Sequence, residues 1–506
     1  MNKKINIGIT EITPAWEILF EQLGVCYSII NWNNFSDNEY SCIVITSYLY
    51  IKQKNIIDQF LQNNGLIIDT TNHFKFEYKT KYKRCIIDTK GILEKGYSFD
   101  VYSFVRHFKQ GDKLFDGAVA FYNYGNGTIA SIGFNCEKII SNKSSKRKFF
   151  LSPSKVFPDE IVNKNSKFFI RKMIEFVIIK IHLTGDIPFV KICDSPKNRS
   201  IFLLRIDTDF SSKQDLILLK NVCSKNGIKS TWFVHSEAHE NYINLFNQFE
   251  NDEIAVHTHS HKLFDNEIEQ FVDINCCKNL LEENGLKVYG FAAPFGAWSN
   301  NLAIALNKFD FKYSSEFSLD YDNLPYHFNN RLQIPIHPIC IGSFKRTKAT
   351  DEEILNYFKK VIYKKYSLQE PILLYYHPLD GRLNVLELIF EYINKLNINN
   401  YTFNEYSEWL LIRQNANFGV NTSNIGVEVK GNLDSTLKLI LYSENNLIVK
   451  DSTNNLNVIS IKSDEIIKEK NNFLTEDKSV SQFDNRRPFW RNIRNSIEDY
   501  ISKNKI

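Results

Sequence analysis

Three apolar runs in the middle of the chain each stop at a group of chemistry-bearing residues, and this repetition constrains the fold more than any other feature. Residues 201–204 lead into Arg205-Ile206-Asp207-Thr208-Asp209, residues 254–256 into His257-Thr258-His259-Ser260-His261, and residues 373–376 into His377-Pro378. Strand-like stretches are predicted at 201–206, 230–234, 253–257, 288–292 and 372–376. They alternate with helical patterns at 216–226, 267–283, 302–308 and 386–396. Repeated βα units of this length, over about 195–415, call for parallel strands closing into a barrel. In such a barrel the catalytic groups collect at the carboxyl ends of the strands, where all three polar groups fall.

The chain has 506 residues, too many for one core, and three parts are predicted. Residues 1–190 open with short strands and helices in alternation, the pattern of a doubly wound α/β domain. A hairpin is expected at 118–124 and 128–134 around Gly125-Asn126-Gly127, and a long helix at about 166–182. Residues 191–417 hold the barrel. Residues 418–506 shift to short alternating strands and then to a charged tail, so a small β-rich domain is expected there. Segment 486–491 (Arg-Arg-Pro-Phe-Trp-Arg) reads as a solvated or docked tail, with contact to a membrane surface left open.

Composition excludes several classes. A net charge of +4 is small for this length and argues against a nucleic-acid partner. No window approaches the ~20 apolar residues of a spanning helix. The start, Met1-Asn2-Lys3-Lys4, lacks signal-peptide features, and nine cysteines without CxxC spacing read as reduced thiols, so a cytoplasmic location is expected. Oligomeric state is not legible.

Side chains alternate along a strand, so Arg205, Asp207 and Asp209 are expected on one face. His257 and His261, four residues apart, are expected to approach one metal ion from a helical turn, with His259 pointing elsewhere. Alone, Asp-x-Asp is more often a turn or cap and His-x3-His a surface pair. Together, in this order and at strand ends, they point to a metal-dependent hydrolase. His337, ending the run 333–337, is a further candidate to reach substrate, and Trp298 to line the pocket; His235 and His239 are set aside as ligands.

Over about 200–412 the chain resembles the polysaccharide deacetylase (NodB-homology, carbohydrate esterase family four) superfamily. Asp207 and Asp209 match its Asp pair, Ser230-Thr231-Trp232-Phe233 its Thr-Phe-Phe strand, and His257-Thr258-x-x-His261 its metal motif. Gly290 to Gly296 resembles its Arg-x-Pro-x-Gly motif, Tyr375-x-His377 its Leu-x-His motif, and 402–409 its closing segment. The resemblance implies one divalent metal held by Asp209, His257 and His261: Zn²⁺ by default, with Co²⁺, Ni²⁺ and Mn²⁺ also compatible. It implies Asp207 as general base, His377 as general acid and the Phe295 backbone N–H as an oxyanion donor. The implied reaction is hydrolysis of an N-acyl group, acetyl or formyl, from an amino sugar.

One departure stands out, since the family's third-motif Arg is Ala292 here. Arg205, two residues before Asp207, is expected to supply the missing charge. Arg-Ile-Asp-x-Asp also resembles lipid-linked amino-sugar deformylases, which favours a lipid- or nucleotide-linked sugar precursor over a bulk polymer. The N-terminal part resembles glutamine-amidotransferase-like domains, with Ser47-Tyr48 where a nucleophilic Cys would stand. Two alternatives remain: a degenerate, carbohydrate-binding scaffold, and a PHP-type phosphoesterase using His257 and His259.

Overall fold

The computed structural model describes residues 3–87, 98–150, 158–345, 347–423, 426–443, 447–452, 455–460 and 466–467. Segment 486–491 lies outside them. In the N-terminal part the strands run in the order Tyr27–Ile29, Ile7–Ile9, Cys42–Ile45, Leu66–Asp69, Gly127–Ile132, Val119–Tyr124, Asp112–Leu114. The first five are parallel and the last two antiparallel. Residues pointing to one face, such as Ile43, Ile45 and Ile67, pack with Ile57, Phe60 and Leu61 of helix Ile51–Gln62. Those pointing to the other, such as Cys42, Val44, Leu66 and Ile68, pack with helices Pro14–Leu23 and Lys167–Thr184. Covering both faces explains why these strands read as continuous apolar runs. The hairpin turn is shifted by one residue from the expected Asn-Gly: Tyr124 pairs with Gly127, and the loop is Gly125-Asn126 with Gly125 at φ 58°. The glycine takes the first, left-handed position.

The central sheet orders its strands as Tyr326–Phe328, Arg331–Gln333, Tyr313–Ser314, Val288–Phe291, Glu253–Val256, Thr231–Val234, Ile201–Asp207, Ile372–Tyr376. All are parallel except the first, which forms a hairpin with the second. Beyond Gln333 the chain reaches the opposite end of this order, where the His337 N–H donates to the Leu373 carbonyl at 2.9 Å. That bond brings residue 337, four positions past one end of the strand order, against the other end. Phe202, Leu204, Ile206, Trp232 and Val234 face an outer layer that includes helices Lys213–Lys225, Glu267–Glu283, Asp351–Ser367 and Leu383–Lys395. Leu203, Phe233, Ala255 and Tyr375 face inward.

The C-terminal strands form two antiparallel sheets: Asn417–Thr422 with Gly426–Asn432 and Asn455–Ser460, and Lys438–Tyr442 with Leu447–Asp451 and Ile466–Ile467. Strand Phe189–Ile192, which sequence puts at a boundary, pairs with Lys438–Tyr442 and so belongs to the second sheet. Buried residues of all three parts, from Ile7 through Leu203 to Leu441, share one apolar cluster. Among the described residues no helix is long and apolar enough to cross a membrane.

Beside this shared core lies a buried ionic network. Arg171 pairs with Glu370 at 2.7 Å, Lys365 with Glu370 at 2.9 Å, and Lys191 with Glu175 at 2.6 Å and Asp194 at 2.8 Å. It ties helix Lys167–Thr184 to helix Asp351–Ser367, to the segment leading into strand Ile372–Tyr376, and to strand Phe189–Ile192. Burial alone would raise the Glu370 carboxyl, but Arg171, Lys365 and Lys172 outweigh it and hold it well below its ordinary value. A carboxyl depressed on folding stabilises above its unfolded pKa, and that contribution fades as pH falls. Glu370→Gln removes the carboxylate that Arg171 and Lys365 share and should lower stability by about 3–5 kcal/mol at neutral pH. The gap to the parent should narrow below the ordinary value of 4.5; denaturant unfolding across pH measures both.

Candidate metal centre

Strand Ile201–Asp207 delivers the first pair of groups. Arg205 Nε donates to Asp207 Oδ1 at 2.6 Å and its Nη2 to Oδ2 at 2.7 Å, a bidentate pair between neighbours on one strand face. The guanidinium is wholly buried, also donates to the Ser315 carbonyl, and lies 5.1 Å from the Phe233 ring centre. Burial pushes the Asp207 carboxyl up, but Arg205 and then His257 and His377 outweigh it and leave the carboxyl below its ordinary value.

Asp209 is oriented differently from the sequence expectation. The strand ends at Asp207, and Asp209 sits in the following turn with a left-handed backbone, φ 42°. Strand alternation therefore does not aim its carboxylate; the turn does. Its Oδ1 lies 3.1 Å from His261 Nε2 and 3.4 Å from His257 Nε2.

The histidine spacing is likewise realised by a loop rather than a helical turn. Residues after strand Glu253–Val256 leave regular structure, with Thr258 at φ 77° and His261 at φ 54°. A β-branched residue there is strained, and such strain persists only when neighbours impose it. Here Asp273 of helix Glu267–Glu283 accepts from the backbone N–H groups of His259 at 3.0 Å and Ser260 at 2.9 Å. His257 Nδ1 lies 2.7 Å from the Ala292 carbonyl, so Nδ1 holds the proton and Nε2 presents its lone pair. Ala292, where the family Arg would stand, thus contributes its backbone.

Ligand atoms of Asp209, His257 and His261 lie within 4.8 Å of one another. Ligands at ~2.0–2.1 Å from a tetrahedral ion sit ~3.3 Å apart, close to the separations observed, and three protein ligands leave a position open. The buried His261 Nδ1 has no hydrogen-bond partner among the described residues, so this ring is not tied into a protein network through both nitrogens. The donor set fits one divalent ion.

His377 follows strand Ile372–Tyr376, with Nε2 3.8 Å from Asp209 Oδ2 and Nδ1 3.3 Å from Asp380 Oδ2. Burial works against a charged ring, but Asp380 and Asp209 outweigh it and raise its pKa well above the ordinary histidine value. Phe295 is left-handed at φ 59°, and its ring centre lies 5.2 Å from that of His261.

Other candidates fall elsewhere. His259 Nδ1 pairs with Ser236 Oγ at 2.9 Å and is not in the ligand cluster. His337 is held at both ring nitrogens, by Asp322 and Tyr357, each at 2.9 Å, so it does not reach out to a substrate. Trp298 packs on Phe328 at 5.8 Å and under Lys143. His235, set aside from sequence, lies at the site: Nδ1 is 2.8 Å from the Asp209 carbonyl and its ring 5.2 Å from that of His261. Burial pushes its pKa down to about 3, so it is a neutral wall. Its position just after strand Thr231–Val234 was the signal available. Asp380, three residues past His377, was also missed.

Residues 217–314 match the sequence model of the polysaccharide deacetylase family. No curated protein matches the chain. Solved structures similar to part of this chain include a polysaccharide-deacetylase-type protein from Mycobacterium smegmatis, 14% identical, covering 44% of this chain and 94% of that one at TM-score 0.38. A family 4 carbohydrate esterase from Streptomyces lividans is 14% identical, covering 40% and 92% at TM-score 0.30. A CE4 family pseudoenzyme from Bacillus anthracis is 14% identical, covering 42% and 68% at TM-score 0.33. Elemental analysis of the purified protein should find one equivalent of divalent metal, with Asp209→Ala and His261→Ala each losing it and His259→Ala keeping it; loss of metal in His259→Ala would favour the dinuclear alternative.

Proposed function

We propose that the chain is a metal-dependent N-deacylase that removes an acetyl or formyl group from an amino sugar. The catalytic part is read as a distorted (β/α) barrel over 191–417, between a doubly wound α/β domain and a small β-rich domain. The observation that carries this reading is the gathering of Asp209, His257, His261, Asp207 and His377 at the carboxyl ends of neighbouring parallel strands. The polysaccharide deacetylase match to 217–314 supports sugar N-deacetylation as the reaction class.

Asp209, His257 and His261 would hold the ion. When bound, it supplies Lewis-acid chemistry, polarising the acyl carbonyl and making water acidic enough to lose a proton near neutral pH. Asp207 would accept that proton, and Arg205 keeps the carboxylate ionised where burial alone would favour its neutral form. The arrangement trades basicity for charge, because the bidentate partner that holds the carboxylate open also weakens it as a base. His377, kept charged by Asp380 and Asp209, gives its proton to the departing nitrogen, without which the amine is a poor leaving group. The Phe295 backbone N–H is assigned the oxyanion side, a role supported by the packing of the Phe295 ring against that of His261. A lipid- or nucleotide-linked sugar remains the preferred substrate class, on the strength of the Arg205-Ile206-Asp207-Thr208-Asp209 motif.

Acyl release from N-acetyl and N-formyl amino sugars, presented free, as oligomers and as nucleotide- or lipid-linked precursors, tests the proposal. The metal-loaded parent should release acetate or formate, and His377→Ala should be slower by on the order of 10²–10⁴-fold. A loaded parent inert toward every class would falsify it. Arg205 holds the Asp207 pKa down, so its loss raises that pKa and the acid limb of kcat/KM should move to higher pH in Arg205→Ala. Arg205→Lys should move it less. An unchanged profile in Arg205→Ala removes the assigned role.

A further inference from the structure

We propose that Cys340, His377 and Asp380 form a second divalent-metal site, and that filling it switches off the first. Ligand atoms of these three side chains lie within 4.8 Å of one another. His377 stands between the two centres, with Nε2 toward Asp209 at 3.8 Å and Nδ1 toward Asp380 at 3.3 Å. A carboxylate alone would serve to orient the ring. A buried thiol in the same cluster adds a soft ligand that orientation does not need.

Two short turns build the pocket: Ile341–Phe344, directly after Cys340, and Pro378–Asp380, directly after His377. Gly342 makes room for the carboxylate, since a Cβ there would stand 1.9 Å from Asp380 Oδ1. Asp380 Oδ2 is also held by the His377 backbone N–H at 3.2 Å. Ser343 Oγ, 3.5 Å from Cys340 Sγ, offers a further oxygen near the cluster. Cys340 is 4% exposed and the His377 side chain 22%, so the soft ligand is buried while the shared imidazole still meets solvent. Thiolate, imidazole and carboxylate together are a donor set that zinc accepts.

Occupation has a defined chemical consequence. An ion on Nδ1 displaces the proton from that nitrogen, and the Cys340 thiol gives up its proton to bind. A ring metallated at Nδ1 is no longer an imidazolium, so it has no readily released proton for the departing amine. The binding half of the proposal stands on the Cys340 cluster alone; the inhibitory half rests on His377 being the acid in the proposed reaction.

Cobalt(II) titration of the full chain separates the two halves, because the first centre has no sulfur ligand. Expected is a visible ligand-field spectrum through the first equivalent, then a near-ultraviolet thiolate-to-cobalt band through the second. Cys340→Ala and Cys340→Ser should lose that band and keep the first spectrum, which also shows that they fold. Acyl release by the parent should drop on the order of 10²-fold or more as the band grows, while Cys340→Ala continues unaffected. No thiolate band at excess cobalt, or one that survives in both variants, overturns the site. A Cys340-dependent band with undiminished hydrolysis overturns the inhibition. A Cys340-dependent band in a parent that hydrolyses nothing upholds the site and counts against the deacylase reading.

Discussion

The register of strand Ile201–Asp207 is the constraint on which the site depends. Its pairing with Thr231–Val234 on one side and Ile372–Tyr376 on the other fixes which residues face inward. Phe202, Leu204 and Ile206 take the helix-facing side, leaving Leu203, Arg205 and Asp207 to the interior. A slip of one residue would exchange the two sets and drive a guanidinium and a carboxylate into the apolar layer under the helices. The hydrophobic pattern of six residues therefore holds the charged pair where it is. The two charges satisfy each other there, so the interior tolerates them.

That economy extends along the carboxyl edge of the sheet. Asp207 is held by Arg205 of its own strand, His257 by the carbonyl of Ala292 just past the neighbouring strand, and His377 by Asp380 in the turn that follows it. Asp209, Thr258, His261 and Phe295 are all left-handed, although none is glycine. Left-handed non-glycine residues gathered at one place mark a local geometry that the chain adopts against its own preference. The surrounding strands and the Asp273 bonds to the His257–His261 loop supply the restraint.

Much of this was legible in the residues. The apolar runs ending in Asp207, His257 and His377 located the site, because strand ends in a parallel sheet converge whatever the loops do. Arg205 was legible for the same reason: residues two apart on a strand share a face. What sequence misplaced was whatever follows the last paired residue. Asp209 was assigned to a strand it has already left, and His261 to a helical turn that is a loop, since periodicity carries no information beyond the element that generates it. His235 was passed over although it obeys the strand-end rule as well as His257 does. The helix Asp351–Ser367 also escaped notice, though its capping box, Thr350 with Glu353, is a readable start signal. Asp380 and Cys340 owe their positions to short turns and to the space left by Gly342, which no pattern announces.

The single apolar cluster running from Ile7 through Leu203 to Leu441 has a consequence for inheritance as well as for folding. A domain with its own core can be cut out, duplicated or spliced next to a stranger and still fold. Here one face of the central sheet is continuous with the packing of the residues before and after it. Arg413 near the end of helix Phe403–Gln414 donates to carbonyls of Glu21 and Gln22, almost four hundred positions earlier. A version of this central sheet without the flanking residues would expose the apolar surface that they cover. The three parts are thus expected to have diverged together, as one heritable unit rather than as beads on a string.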